Sequence, residues 1–238
     1  MRLRLWIPYP LISFEVVGPY STYLSVPIGR VDVDIRRIRS VEKVAKEVLE
    51  VANAIEDYIG LPKSIPLSDL TKLPKVVQLV VCTQASLSSI SSSLRDLIKL
   101  AIYESEVLEA DPGLLVALHC CAKYGVPCIA RAEECVRSAV KVPLRVSPSE
   151  TRVVGKKGVY ELDSYIANLI RKLVSYTIMK IVNADSCGEA MKYLNLYSLL
   201  VKWFTGVELG GIASVTPWIG GVFELSLAEV VCIDARCC

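Results

Sequence analysis

The chain has 238 residues, 53% of them hydrophobic, and a formal net charge of +2. That length builds a core without covalent staples, and the near-balanced charge excludes a uniformly basic surface for duplex nucleic acid. Pro8 and Pro10 interrupt the start before an apolar h-region forms, and the uncharged run over residues 209–223 is short and broken by Pro217 and two Gly-Gly pairs. Neither a secretory signal nor a membrane span is therefore expected, and the setting expected is cytoplasmic, or a virion if the chain is viral.

The first forty residues predict a β-meander. Strands are expected over 11–17 and 21–26, separated by Gly18-Pro19, the second closed by Pro27-Ile28-Gly29. Residues 30–36 alternate strictly between charged and apolar, the pattern of a strand with one buried face. A helix follows, capped by Ser40, with Val44, Val48, Ala52, Ile55 and Ile59 on one stripe and Gly60 at its end. Residues 61–74, with three prolines, read as a loop. Residues 76–82 form a near-continuous apolar run, which suits a central strand buried on both faces. A serine-rich loop, 83–89, leads to a helix ending near Glu104. Asp111 and Pro112 open another helix as N-cap and first residue, and Gly125 stops it after Tyr124.

A strand over 126–130, a short helix through Val140 and a strand over 142–146 complete what reads as a parallel α/β layer. Residues 147–158 are the expected internal boundary, dividing 1–148 from 149–238 within one composite domain. Two long helices follow. Asp163 or Ser164 caps the first, and Ser186-Cys187-Gly188-Glu189 fits a capping box for the second, which ends at Gly206. The tail from 207 to 233 is β-like, with turns at Gly210-Gly211 and Gly220-Gly221. The fold class expected is mixed α/β: N-terminal β-meander, central α/β layer, C-terminal helical pair with a β tail.

Nine cysteines accompany a single histidine. His119, Cys120, Cys121, Cys128 and Cys135 are the densest group, but no C-x-x-C occurs, and the vicinal pair on a helix diverges by roughly a hundred degrees. No metal site and no cofactor is assigned. Disulfides are the better reading, with Cys120, Cys121, Cys128, Cys135, Cys232, Cys237 and Cys238 as candidates. Nine is odd, so one thiol stays free or joins another chain. Cytosolic disulfides and scarce amides, here two glutamines and four asparagines, are hyperthermophile traits. In composition alone the chain resembles proteins of hyperthermophilic archaea and their viruses, a resemblance that transfers no residue.

No catalytic residue is assigned, since no G-x-S-x-G or G-K-[ST] occurs. The reading the sequence favours is a structural or interaction protein that self-associates. One alternative is an enzyme or sensor that binds a nucleotide or phosphate ligand, of unknown identity, through Thr83, Ser86, Ser88 and Ser89 at the start of a helix. The other is a nucleic-acid binder using Arg36, Arg37, Arg39, Lys43 and Lys46, a basic stretch interleaved with acidic residues.

Overall fold

The computed structural model describes residues 2–14, 21–35, 43–91, 93–138, 140–154, 164–208 and 210–233. The class is mixed α/β, with strands at both ends and helices between. Two long strands, β1 (Arg2–Ile12) and β2 (Thr22–Ile35), pair antiparallel where the turn signals suggested three shorter ones. β2 passes through Pro27 because Pro8 lies opposite and the register shifts beside it, so the ladder is already interrupted there. The alternation seen in the sequence holds only at its start: Val31 and Val33 are buried and Asp32 is exposed, but Asp34 is buried as well and Ile35 only half-buried. β3 (Ser64–Pro66) pairs with one end of β2, and β4 (Cys128–Arg131) with the other. The short helix expected after β4 is instead a strand, β5 (Glu134–Arg137), folded back on β4. Every pairing among the described strands is antiparallel, so the middle of the chain is not a parallel layer.

Four helices form a layer beside this sheet: α1 (Lys46–Ile59), α2 (Lys75–Ser88), α3 (Leu94–Leu108) and α4 (Pro112–Tyr124), with α2 and α4 directly against the strands. The run read as a strand over 76–82 is the heart of α2. Twelve consecutive residues of that helix, Val76 through Leu87, are buried. A continuous apolar run carries no period, so a strand and a helix buried all round look alike in it. α4 is bounded as expected: Asp111 Oδ1 accepts the Gly113 N–H at 2.8 Å, and Gly125 ends the helix at φ 66°. α1 likewise ends at Gly60, φ 71°.

The second half adds β6 (Leu144–Val154), α5 (Ser164–Val182), α6 (Cys187–Thr205), β7 (Ile212–Trp218) and β8 (Val222–Cys232). The sheet order is β6-β8-β7. β6 runs straight through the first part of the stretch expected to be a domain boundary. α5 and α6 pack on this sheet and on Tyr9, Leu11, Ile12 and Leu24, so β1 and β2 serve both cores. Ser13 ties the halves together: its carbonyl accepts the Val215 N–H at 2.7 Å, and its own N–H donates to the Tyr197 hydroxyl at 3.1 Å. Ser186 caps α6 as expected, while Glu189 reaches back to the N–H of Asp185, one residue beyond the usual box.

Two C-terminal caps with nearly equal φ differ in their surroundings. A Cβ on Gly60 meets open space, whereas one on Gly125 collides with the Trp6 indole. Gly60→Ala is expected to cost about 1 kcal/mol, the strain of a left-handed alanine. Gly125→Ala adds overpacking and is expected to cost about 2–4 kcal/mol, read from urea midpoints.

Candidate functional site

Residues 83–89 are not a loop before a helix; they are the last turns of α2. Because α2 is buried, each polar side chain on it needs a partner inside the protein. The Thr83 hydroxyl donates to Glu104 Oε1 on α3. Glu104 Oε2 lies 2.6 Å from His119 Nε2 on α4, and His119 Nδ1 lies 2.7 Å from Gln84 Oε1. One turn on, the Ser86 hydroxyl donates to Glu56 Oε1 on α1 at 2.7 Å and lies 3.1 Å from the Ser64 hydroxyl on β3. Ser64 donates in turn to the Cys82 carbonyl. All of these side chains are buried. Both ring nitrogens of His119 face oxygens, so the ring is clamped from two sides. No substrate reaches a network this deep; it fixes the four helices in register. Thr83 and Ser86 thus face the core. Ser88 accepts from the Gln84 amide at 3.2 Å, and Ser89 donates back to the Ser86 carbonyl at 2.7 Å. The four do not line a common cleft.

A second constellation lies at the other end of α2, where the two sheets meet. The backbone N–H of Lys75, the first helical residue, donates to Glu224 Oε2 at 2.7 Å. The Lys75 ammonium sits 2.6 Å from Glu47 and 3.5 Å from Glu224, above the Trp218 ring. Glu224 is on β8, just past the turn at Gly220 and Gly221, whose φ values are 74° and 67°. Burial pushes the Glu224 carboxyl above its usual range, against the pull of the Lys75 N–H and ammonium. For Lys75, burial acts downward but the two carboxylates outweigh it, and the net shift is upward. A carboxylate is therefore held at a helix N-terminus, where unpaired N–H groups and the dipole favour negative charge. Sequence reasoning missed this site because the start of α2 was read as a strand; Pro74 ahead of Lys75 was the available signal.

A groove of about 600 Å³ runs between α6 and the β7–β8 edge, lined by Met191, Asn195, Leu199, Lys202, Ile212 and Val231 among others. Of the basic stretch, Lys43 donates to the Leu67 carbonyl at 2.7 Å, and exposed Lys46 stands 3.9 Å from Glu50. Arg36, Arg37 and Arg39 lie outside the described residues.

Cys120 is paired with Cys135, joining α4 to β5, with Cα atoms 6.9 Å apart. Cys232 is paired with Cys187, a residue the sequence reading left out, joining the end of β8 to the start of α6 with Cα atoms 5.6 Å apart. Cys121 and Cys128 are buried thiols, not disulfides; burial pushes Cys128 up to about 12 and Cys121 still higher. Both are inert at neutral pH. Cys237 and Cys238 lie outside the described residues. Among the described residues, no group of three or more His, Cys, Asp or Glu converges as a metal site, and no helix is long and apolar enough to cross a membrane.

No family model matches the chain, and no curated protein matches it. Solved structures do. The mevalonate kinase of Methanococcus jannaschii superposes with a TM-score of 0.56 at 11% identity, covering 99% of this chain and 91% of that one. A further mevalonate kinase structure gives 0.53 at 10% identity, covering 98% of each chain. At such identities the likeness concerns the fold.

Two outcomes follow from the buried groups and the disulfides. His119→Leu leaves Glu104 Oε2 and Gln84 Oε1 without their partner and is expected to cost about 1–3 kcal/mol for each group in urea unfolding, whereas adding Glu104→Leu to it recovers part of the loss. Cys187→Ser opens a closed loop with a sequence separation of 45 and is expected to cost about 2–4 kcal/mol.

Proposed function

We propose that the chain is an enzyme or sensor that binds a nucleotide or another phosphate ligand. The observation that carries this is the fold likeness, which spans 99% of the chain and 91% of a protein whose name makes it a kinase acting on mevalonate. Kinases of any fold work chiefly by holding phosphate groups with backbone N–H groups, cations and metal. Fold alone is an analogy, so the site has to bear the reading. What supports it here is the junction at the start of α2: a lysine, a helix N-terminus with an anion on it, and a glycine turn close by. A ligand phosphate bound there takes the place of the Glu224 carboxylate.

The same contact favours a second reading. The anion at α2 belongs to the protein, and the segment joining β3 to α2, residues 67–74, contains no glycine that lets backbone close around a phosphate. On this reading the scaffold has exchanged its ligand for Glu224, and the chain is an interaction protein.

A thermal-shift and calorimetry panel with ATP, ADP and inorganic phosphate, with and without Mg²⁺, separates the two. It is run on the wild type and on Glu224→Gln, which removes the competing charge and keeps a hydrogen-bond acceptor. On the first reading a nucleotide raises the wild-type melting temperature by several degrees, as about 100 times Kd contributes about 2.7 kcal/mol and each kcal/mol moves a chain this size about 2–4 °C. The variant responds at lower ligand concentration. A response confined to the variant supports the second reading, and silence from both proteins removes the first.

A further inference from the structure

β8 outruns its neighbour. Its ladder with β7 stops at the pair Ile212–Ala228, while its ladder with β6 continues to Leu144–Cys232. The chain leaves the line of β7 at Gly211, where φ is 118° and a Cβ would lie 2.7 Å from the Ala228 carbonyl oxygen, a turn that suits glycine alone. The Gly211 carbonyl then accepts from the Ser198 hydroxyl of α6 at 3.4 Å. Among the described residues, no strand therefore lies beside Glu229–Cys232 on the side away from β6. The ladder with β6 shows which backbone groups are left open there. The Leu227 carbonyl accepts from the Ser149 hydroxyl at 3.1 Å, and the Ile233 N–H donates to the Pro143 carbonyl at 2.9 Å, so the odd-numbered residues turn their backbone groups toward β6. Antiparallel pairing alternates, which aims the N–H and C=O of Val230 and Cys232 the other way. No backbone hydrogen bond among the described residues meets them on that side.

The groove of about 600 Å³ runs along this open side. Glu229, Val230 and Val231 all line it, although successive residues of a strand point to opposite faces; what the three share is the strand edge. α6 supplies the facing wall with Met191 and Leu199, and Ile212 closes one end. Val230 packs toward the apolar cluster that α6 helps to build, while Glu229 and Val231 are exposed. Lys202 also lines the groove, at the Gly211 end: it lies one turn beyond Ser198 on α6 and 3.7 Å from the exposed Glu208 carboxylate.

We propose that this groove takes the C-terminal tail of another polypeptide as an added strand. Unpaired N–H and C=O groups spaced along a strand edge are matched by an extended backbone, and pockets beside the edge then select alternate side chains. At about 3.3 Å per residue, Glu229–Cys232 offers the added strand about 13 Å. Set antiparallel to β8, as β6 and β7 are, the tail comes in beside Cys232 and runs toward Gly211. Gly211 and Ile212 already occupy the ladder at Ala228, so the added chain stops after the residue opposite Val230. A chain that ends there carries a carboxylate. One of its oxygens accepts the Val230 N–H, and the other meets the Lys202 ammonium, which stands at that end. The last side chain shares a face with Val230 and turns toward Met191 and Leu199, so it is apolar; the one before it points outward beside Val231. Glu224 lies further back on β8, inside the ladder with β7, so this contact does not depend on whether the chain binds a phosphate ligand.

The test is fluorescence anisotropy of the full chain with fluorescein-labelled hexapeptides whose last three positions are varied, each made with a free C-terminal carboxylate and as the amide. Free acids ending in valine, leucine or isoleucine are expected to bind with micromolar Kd, and their amides about tenfold or more weakly. Lys202→Met is expected to weaken the free acids about tenfold and to leave the amides unchanged, a split that a merely structural lysine does not produce. Methylating the backbone nitrogen of the last residue removes the N–H aimed at the Val230 carbonyl and is expected to abolish binding. Leu199→Glu, which places a charge on the apolar wall, is expected to do the same. Leu199 and Lys202 are both exposed, and unchanged circular dichroism and urea midpoints verify the fold. Absence of binding by every free acid at about 1 mM overturns the proposal. So do acids and amides that bind alike, or binding indifferent to Leu199→Glu. Saturable binding of octanoate that Lys202→Met abolishes, with no peptide bound, also overturns it and assigns the groove to a small apolar acid.

Discussion

The structure depends on one constraint: α2 is surrounded by protein on every side. A helix buried over twelve successive residues has no solvent face on which to place polar groups. Gln78, Thr83, Gln84 and Ser86 must each find a partner in a neighbouring element, because an unpaired buried polar group costs about 1–3 kcal/mol. Those partners set the packing. Gln78 bonds the N–H of Ala45 at the start of α1 and the carbonyl of Leu73 before α2. Thr83 and Gln84 reach α3 and α4 through Glu104 and His119, and Ser86 reaches α1 and β3 through Glu56 and Ser64. Apolar contacts hold the helices together; these bonds select one rotation and one register for each.

The first turn of the same helix carries the other consequence. Its N–H groups lie where β8 and the Trp218 turn come close, and a carboxylate from that sheet meets them. Glu224 is buried only because Lys75 and the helix end compensate its charge, and Lys75 is drawn in by Glu224 and Glu47 together. An anion is held at the start of α2, in the region where the two sheets come together. The chain occupies that region with its own side chain, which makes Glu224 the residue on which the functional reading turns.

The cysteines divide by location. Two pairs are joined: Cys120 with Cys135 links α4 to β5, the edge strand of the first sheet, and Cys187 with Cys232 links α6 to the end of β8, the middle strand of the second. Buried Cys121 and Cys128 act as small hydrophobes.

The sequence by itself determined features that depend on residues next to one another. The cap at Asp111, the stops at Gly60, Gly125 and Gly206 and the start of α6 at Ser186 all stand in the structure. Each rests on a local bond or backbone angle, so neighbouring residues suffice to specify it. Tertiary structure decided the rest. The apolar run after Pro74 became a helix because neighbours close around it on all sides, which removes the polar stripe that would have revealed its period. Residues 134–137 became a strand because the edge of β4 was open to them, against a local preference read as helical. Cys187 met Cys232, and Glu224 met Lys75, across 45 and 149 residues, distances over which only the packed chain brings side chains together.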